Sequence, residues 1–167
     1  MEKWYKYKTN KKNNMNNNKK EMAVAALQNG IVIDHIPCSS LFKVVNLLGL
    51  DTLESNVTIG NNFDSGSMGK KGFIKIADIE LPEETLNRIA VIAPNAVINI
   101  IRDYEVVNKH FVTLPDDLIN IVHCNNPKCI SNNEPMRTHF HVIDREKTTL
   151  KCHYCERTVA HDQITLK

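Results

Sequence analysis

Two closely spaced cysteine pairs constrain this 167-residue chain more than any other feature. Cys124 and Cys129 flank four residues, Cys152 and Cys155 flank two, and 22 residues separate the pairs. Each pair presents two thiolates from one tight turn, and four sulfurs close a tetrahedron around zinc. We therefore predict one structural Zn²⁺ per chain, held by these four cysteines. Because four thiolates leave no open coordination position, the metal is expected to stabilise the fold and not to activate a reactant.

Two other interpretations of the cysteines stay open. In the first, the cysteines are ordinary buried thiols. In the second, Cys152 and Cys155 form a redox dithiol, although no strand-to-helix context supports this. His123, His141 and His153 lie close to the cysteines in the chain and are candidates for replacing one of them as ligands. Four sulfurs already satisfy zinc, so we expect these histidines on the surface or beside a ligand.

Composition restricts the class of protein. Apolar residues make up 42% of the chain and charged residues 24%, which is typical of a globular protein with a core. The longest apolar run, Met22–Leu27, is far shorter than the ~20 residues that span a bilayer, and no secretion signal precedes it. Unpaired cysteines without such a signal indicate a cytoplasmic protein. A net charge of +2 is too small to indicate nucleic acid or an anionic membrane as partner.

Three regions follow from the pattern along the chain. Every residue from Asn10 to Lys20 except Met15 is Asn or Lys, which predicts a disordered tail over 1–20 and makes Met15 a possible start. A first domain is expected over 21–113 and a second over 114–167, joined by a proline-containing linker.

Apolar periodicity predicts an α+β fold for the first domain. Its elements are a strand at Ile31–Ile36, a helix from Leu41 to a stop at Gly49, a strand at Asn56–Gly60, a glycine-rich loop at Asn61–Gly72, a strand at Phe73–Ala77, a helix beginning at Pro82, and strands at Ala96–Ile101 and Tyr104–Asn108. The order β-α-β-β-α-β plus one strand is typical of a ferredoxin-like antiparallel sheet with two helices on one face. Such a fold hosts many functions.

The second domain is predicted to be a small all-β module of the zinc-ribbon type. Strands at Thr138–Ile143 and Thr148–Lys151 form a hairpin, and Arg157–Leu166 adds another strand. A module of about fifty residues rarely folds without a metal, a disulfide or a partner, and the cysteines provide the metal.

A candidate anion site combines lysines with an acidic and an imidazole side chain. Asp34 and His35 end an otherwise apolar strand, where they can meet a ligand or form a structural hydrogen-bonded pair. Lysines lie at the end of the glycine-rich loop, along the strand after it and at the end of the last strand, at Lys70, Lys71, Lys75 and Lys109. Their convergence at one sheet end makes a phosphate site, whereas the alternative is an ordinary solvated face. The loop matches no phosphate-loop or dinucleotide pattern, and no paired acid and base or activated nucleophile favours an enzyme.

The order of these motifs resembles the regulatory chain of aspartate carbamoyltransferase over about residues 22–167. The matching segments are Gly30–Pro37, Ile59-Gly60, Ser65-Gly66, Met68–Lys71, Ile74–Ile76, Ala93-Pro94, Val97–Asn99, Tyr104–Val107, Leu114-Pro115, Cys124, Cys129-Ile130, Cys152 and Tyr154–Glu156.

The resemblance implies a non-catalytic subunit that controls the first committed step of pyrimidine biosynthesis. It implies CTP as inhibitor, ATP as activator, and UTP acting with CTP, all bound in the first domain. The zinc domain would dock on the catalytic chain, and regulatory chains would pair as homodimers in a dodecamer of six catalytic and six regulatory chains. Membranes and nucleic acids are not among the implied partners.

The resemblance also implies a set of nucleotide-binding residues. They are Val24, Ala26, Leu27, Val32, Asp34, His35, Lys71, Lys75, Asn99, Tyr104, Val106 and Lys109. Three of the four lysines selected by charge belong to this set. Ala25 departs from the family, in which Glu can stand at this position. The alternative function, from another class, is a zinc-ribbon nucleic-acid-binding protein whose basic residues contact phosphates.

Overall fold

The computed structural model describes residues 25–167. The predicted tail over 1–20, the alternative start at Met15 and the predicted ligand Val24 lie outside the described residues. Within 25–167, no helix combines the length and the apolar composition needed to cross a membrane.

A five-stranded antiparallel sheet with two helices forms the first part of the structure. The strands are β1 (Gly30–Ile36), β2 (Val57–Ser65), β3 (Gly69–Ala77), β4 (Val97–Arg102) and β5 (Glu105–Phe111), and the helices are α1 (Leu41–Leu47) and α2 (Glu83–Ile92). The sheet order is β2-β3-β1-β4-β5, which is the ferredoxin-like order with β5 as an added edge strand. The predicted α+β fold is confirmed.

The alternation of side chains along β1 separates the two faces of this sheet. Ile31 and Ile33 are buried in the apolar cluster that both helices share, whereas Val32 and Asp34 point to the opposite face and are half-buried. The sheet therefore has one face covered by helices and one open face.

The predicted glycine-rich loop at 61–72 is wrong, because most of it forms a hairpin. Strand β2 continues to Ser65 and β3 begins at Gly69, so the turn between them is short. Phe63 lies opposite Lys71, and its ring packs edge-on against Phe73 with a centroid distance of 5.0 Å. Backbone pairing and aromatic packing outweigh a local composition that favours a loop.

Both helices lie where the sequence predicts them, although α1 ends at Leu47, before Gly49, and α2 begins at Glu83, one residue after Pro82. Ser40 occupies the N-cap position of α1 without a side-chain capping hydrogen bond. Gly49 follows the helix with a φ of 57°, the left-handed conformation that glycine adopts without strain. Glu83 and Glu84 lie in the first turn of α2, where their charges complement the helix dipole.

A smaller antiparallel sheet forms the second part of the structure. Its strands, in the spatial order β6-β7-β8-β9, are β6 (Asp117–Ile119), β7 (His139–Asp144), β8 (Thr149–Cys152) and β9 (Thr158–Val159), and a short helix α3 spans Ile130–Asn133. The predicted β7–β8 hairpin is confirmed. The predicted strand at 157–166 shrinks to β9, followed by a 3-10 turn and an isolated bridge between Val122 and Leu166.

Helix α2 belongs to both apolar clusters of the structure. Ile89 and Ile92 pack in the cluster of the first sheet, whereas Ala90 and Val91 pack in the cluster of the second sheet. Nε2 of His161 lies 3.0 Å from the carbonyl oxygen of Ile92 and adds a polar contact. The helix is thus buried on two sides, which explains why apolar residues occupy four consecutive positions at its end.

Candidate functional site

The open face of the first sheet carries a straight row of predicted ligand-binding residues. Val32 on β1 lies opposite Lys75 on β3 and also opposite Asn99 on β4. Asn99 in turn lies opposite Lys109 on β5. Directly opposed residues share one face of an antiparallel sheet, so the row places two lysines and an amide on the side away from the helices.

A second group of predicted residues gathers where β1 is distorted. The register of β1 against β3 shifts between Ile33 and Ile36. Nζ of Lys71 donates to Oδ2 of Asp34 at 2.7 Å, and the backbone N–H of His35 donates to Oδ1 at 2.7 Å. Burial alone raises the pKa of Asp34, but the bonds from Lys71 and His35 outweigh it and lower that pKa below its usual value. The carboxylate stays ionised and holds Lys71 in place.

His35 has an unusual backbone and an unused ring atom. Its φ of 58° lies in the left-handed region, which is costly for a side chain with a Cβ and is often found at functional sites. Its Nδ1 is buried, lies 3.3 Å from Oδ2 of Asp34, and makes no hydrogen bond within residues 25–167. Such a nitrogen is unusual, because buried polar atoms normally have a hydrogen-bond partner.

A cavity of about 430 Å³ lies at one end of the row. Ala26, Leu27, Lys75 and Tyr104 line it together with backbone of the segment before β1. Nζ of Lys75 donates to the carbonyl oxygen of Ala25 at 2.7 Å, so this segment is tied to the sheet. The volume is in the range of small-molecule pockets.

A smaller cavity of about 280 Å³ adjoins it and shares Lys75. Val32, Asp34 and Lys71 line this second cavity. The four remaining predicted residues within 25–167 line neither cavity. Asn99 and Lys109 continue the row, His35 belongs to the distorted end of β1, and Val106 is exposed on β5.

Sequence reasoning missed several lining residues. Asn56 and Thr58 line the larger cavity, and Phe63 lines the smaller one. Thr58 lies opposite Lys75 in the register of β2 and β3, so the alternation along β2 was the signal that could have identified it. Phe63 could not be identified, because it lies in the part of β2 that was predicted to be a loop.

The four predicted cysteines come together in the second part of the structure. Their sulfur atoms all lie within 4.8 Å of one another. Sγ of Cys124 is 3.6 Å from Sγ of Cys155, and Sγ of Cys129 is 3.8 Å from Sγ of Cys152. None of the four forms a disulfide, and their shared position argues against the alternative of ordinary, unrelated buried thiols.

The sulfur geometry fits a tetrahedral metal ion. Metal–sulfur bonds of about 2.3 Å give a tetrahedron with sulfur–sulfur edges of about 3.8 Å. The two measured distances of 3.6 and 3.8 Å match such edges. Asn132 on α3 donates its side-chain N–H to the carbonyl oxygens of Cys124 and Asn126, at 2.7 and 2.8 Å, and so fixes the first cysteine turn.

The thiol pKa values indicate why a cation is needed at this cluster. Burial raises the pKa of Cys124 to about 12 and also raises that of Cys152. Burial acts in the same direction on Cys155, but hydrogen bonds from the Arg157 backbone and the Asn126 side chain lower its pKa to about 6. A metal ion supplies the positive charge that lets four clustered thiols ionise together.

An antiparallel sheet with a basic open face, followed by a β module with four clustered cysteines, defines the class of two-part chains with a structural metal site. Two family models cover it. One is described as "Aspartate carbamoyltransferase regulatory chain, allosteric domain" and matches residues 22–113. The other is described as "Aspartate carbamoyltransferase regulatory chain, metal binding domain" and matches residues 116–165. The chain belongs to the family of aspartate carbamoyltransferase regulatory chains.

Similar proteins from several organisms carry the name aspartate carbamoyltransferase regulatory chain. A regulatory chain of Parabacteroides distasonis is 64% identical over 149 residues, which cover 89% of this chain and 97% of the relative. One of Phocaeicola vulgatus is 58% identical, covering 91% and 98%. One of Pyrococcus abyssi is 44% identical, covering 86% and 96%. These relatives are named as regulatory and not as catalytic chains, so the chain is a regulatory subunit and not an enzyme.

Proposed function

We propose that the chain senses nucleoside triphosphates for an aspartate carbamoyltransferase and so controls the first committed step of pyrimidine synthesis. Residues 21–113 form the nucleotide-binding domain and residues 114–167 the metal domain that contacts the catalytic chain. The observation that supports this most is the coincidence of the lysine row, the strained His35 and two adjoining cavities on one open face. CTP, ATP and UTP are the proposed effectors.

The two cavities suggest how a nucleotide lies on this face. The larger one, lined by Leu27, Tyr104 and exposed backbone, offers apolar contact and hydrogen bonds to a base. Asp34 is an acceptor for a ribose hydroxyl. Hydrogen-bond donors on the same face would meet the phosphates. They are the side-chain amines of Lys71, Lys75 and Lys109 and an N–H of the His35 ring.

The cysteine centre is proposed to hold one structural Zn²⁺, coordinated by Cys124, Cys129, Cys152 and Cys155. Zinc suits this site because it prefers four thiolates in a tetrahedron and has no redox chemistry of its own. Free thiols kept for a metal fit a reducing compartment, which supports a cytoplasmic location. The metal domain would dock on the catalytic chain, and regulatory homodimers would join six catalytic and six regulatory chains in a dodecamer.

Regulation then requires that a nucleotide bind the two quaternary states with different affinity, since equal affinity shifts nothing. Helix α2 is a physical link between the two halves of the chain, because it packs in both apolar clusters. A nucleotide that moves the first sheet relative to α2 would change the position of the metal domain.

The test replaces Lys75 with alanine in the assembled holoenzyme. We expect CTP and ATP to bind at least tenfold more weakly, because a charge-assisted hydrogen bond contributes about 1.5–3 kcal/mol. Titration calorimetry measures binding, and carbamoyltransferase activity with each nucleotide measures the response.

Lys70→Ala is the matched control. Lys70 neighbours the site in sequence, but its Nζ pairs with Asp64 at 2.6 Å and its side chain is 57% exposed. We expect unchanged nucleotide binding in this variant. Full CTP and ATP responses in Lys75→Ala, or equal losses in both variants, would contradict the site assignment.

A further inference from the structure

Three histidines and an aspartate gather on the solvent face of the second sheet, apart from the cysteine centre. His139 and His141 are two residues apart on β7, so they point to the same side, while Phe140 between them is buried. Asp117 on β6 lies opposite His141. The backbone N–H of His153 donates to the carbonyl oxygen of His139 at 2.9 Å, which places the third imidazole beside the first.

The imidazole rings are close enough to share one ion. A ring nitrogen from each histidine lies within 4.8 Å of the other two. Nε2 of His141 is 2.9 Å from Nδ1 of His153, and the rings of His139 and His153 stack with centroids 4.6 Å apart. Adjacent nitrogen ligands at about 2.1 Å from a metal are about 3.0–3.4 Å apart, so this spacing is already on the scale of a coordination sphere.

Asp117 supplies the negative charge that such a site needs. Its Oδ1 lies 2.8 Å from Nε2 of His139 and 2.7 Å from Nδ1 of His141. The hydrogen bond from His139 is the largest of the effects that lower the pKa of Asp117, so its carboxylate is ionised at neutral pH. A carboxylate that contacts ligand imidazoles either orients them or becomes a ligand itself.

The cluster is open to solvent, and its nearby lysine is already paired. The His139 and His141 side chains are 25% and 41% exposed, so an ion can reach the ring nitrogens. Lys151 lies opposite His141 on β8, but its Nζ is 3.3 Å from Oε1 of Glu156. From the sequence, His141 and His153 are expected to be surface groups or partners of a zinc ligand. Both do lie on the surface, and the pairing of β6, β7 and β8 brings them together with His139 and Asp117.

We propose that His139, His141 and His153, together with Asp117, form a second metal site for a divalent first-row transition ion such as Zn²⁺ or Ni²⁺. Imidazole nitrogens with one carboxylate suit these borderline ions and not Mg²⁺ or Ca²⁺, which prefer oxygen. An ion bound here would cross-link β6, β7 and the turn after β8 on the solvent face of the second sheet. The cysteine centre is the corresponding cross-link in the interior of the module.

The experiment titrates Ni²⁺ into the full chain after its cysteine centre has been loaded with one equivalent of zinc. Calorimetry is expected to show one Ni²⁺ bound per chain with no zinc released. His141→Gln should weaken this binding at least tenfold while the chain keeps its single zinc. His110→Gln is the matched control, because His110 is an exposed histidine on β5, and it should bind Ni²⁺ as the unchanged chain does.

A measurement without substitution keeps the proposal testable if His141→Gln fails to keep its zinc. Paramagnetic Ni²⁺ should broaden the ring-proton NMR signals of His139, His141 and His153 in the unchanged chain before those of His110. Three results would overturn the proposal: no Ni²⁺ bound at millimolar concentration, release of zinc in proportion to Ni²⁺ taken up, or equal broadening of all histidine signals.

Discussion

His35 adopts a φ of 58° within β1, at the place where the register of β1 against β3 shifts. A left-handed backbone costs a residue with a Cβ about 1–2 kcal/mol, and glycine avoids that cost. The same residue carries the buried Nδ1 without a hydrogen bond. The backbone at His35 is therefore less stable than a glycine at this position would make it. We infer that the imidazole side chain has a function that outweighs this cost.

Comparing His35→Gly with His35→Ala separates backbone strain from the side chain. Both variants lose the imidazole, so both should bind CTP more weakly by a similar factor. The glycine variant should be more stable than the alanine variant by about 1 kcal/mol, because only alanine retains the left-handed strain. Urea unfolding of the zinc-loaded chain measures the difference. An alanine variant at least as stable as the glycine variant would show that the strain is absent.

Gly30 allows β1 to approach β3 closely, and a substitution there would affect the whole sheet. Its φ is 135°, and a Cβ built there would lie 2.1 Å from the carbonyl oxygen of Ile76. Strand β1 is central, with β3 on one side and β4 on the other. A shift of its first residue would therefore disturb two ladders.

Gly30→Ala is expected to lower the free energy of unfolding by more than about 2 kcal/mol, since backbone clash and strain act together. Gly66→Ala, in the turn between β2 and β3, is the control, because a Cβ at Gly66 meets no atom within 4 Å. It should change stability by less than about 0.5 kcal/mol. Denaturant unfolding at constant zinc content measures both. Equal stability of the two variants would contradict the close approach seen at Gly30.

The elements show which parts of the structure sequence patterns can predict. The mostly apolar segment Ile31–Ile36 predicted β1, and the cysteine spacing predicted four sulfurs in one place. The end of β2 was missed, because Asn61, Asn62 and Gly66 favour a loop locally, whereas pairing with β3 is decided by distant residues. Cross-strand neighbours such as Thr58 and Lys75, or Asp117 and His141, depend on register, which one sequence does not specify.

For the whole molecule, loss of the metal should abolish binding to the catalytic chain but not binding of CTP. The cysteine centre holds the second sheet, and the proposed nucleotide face lies on the first sheet. Removing the metal with a chelator should therefore release the chain from its catalytic partner while CTP still binds to the released chain. Size-exclusion chromatography and calorimetry measure the two outcomes.

Two results would contradict this separation. The complex could stay assembled after elemental analysis shows that the metal is gone, or CTP binding could disappear together with the metal. Re-addition of Zn²⁺ is the control for irreversible damage, and it should restore assembly.

The burial of α2 on two sides limits how this chain can be divided or recombined. Ala90 and Val91 are fully buried by residues that follow position 113, among them Leu118 and Phe140. In a fragment that ends at 113, these two apolar side chains would be exposed to water and would favour aggregation. A chimaera that exchanges the metal module between two homologous chains must exchange positions 90 and 91 as well. As a structural unit, the metal module therefore includes one face of α2, a helix that lies more than twenty residues before residue 114.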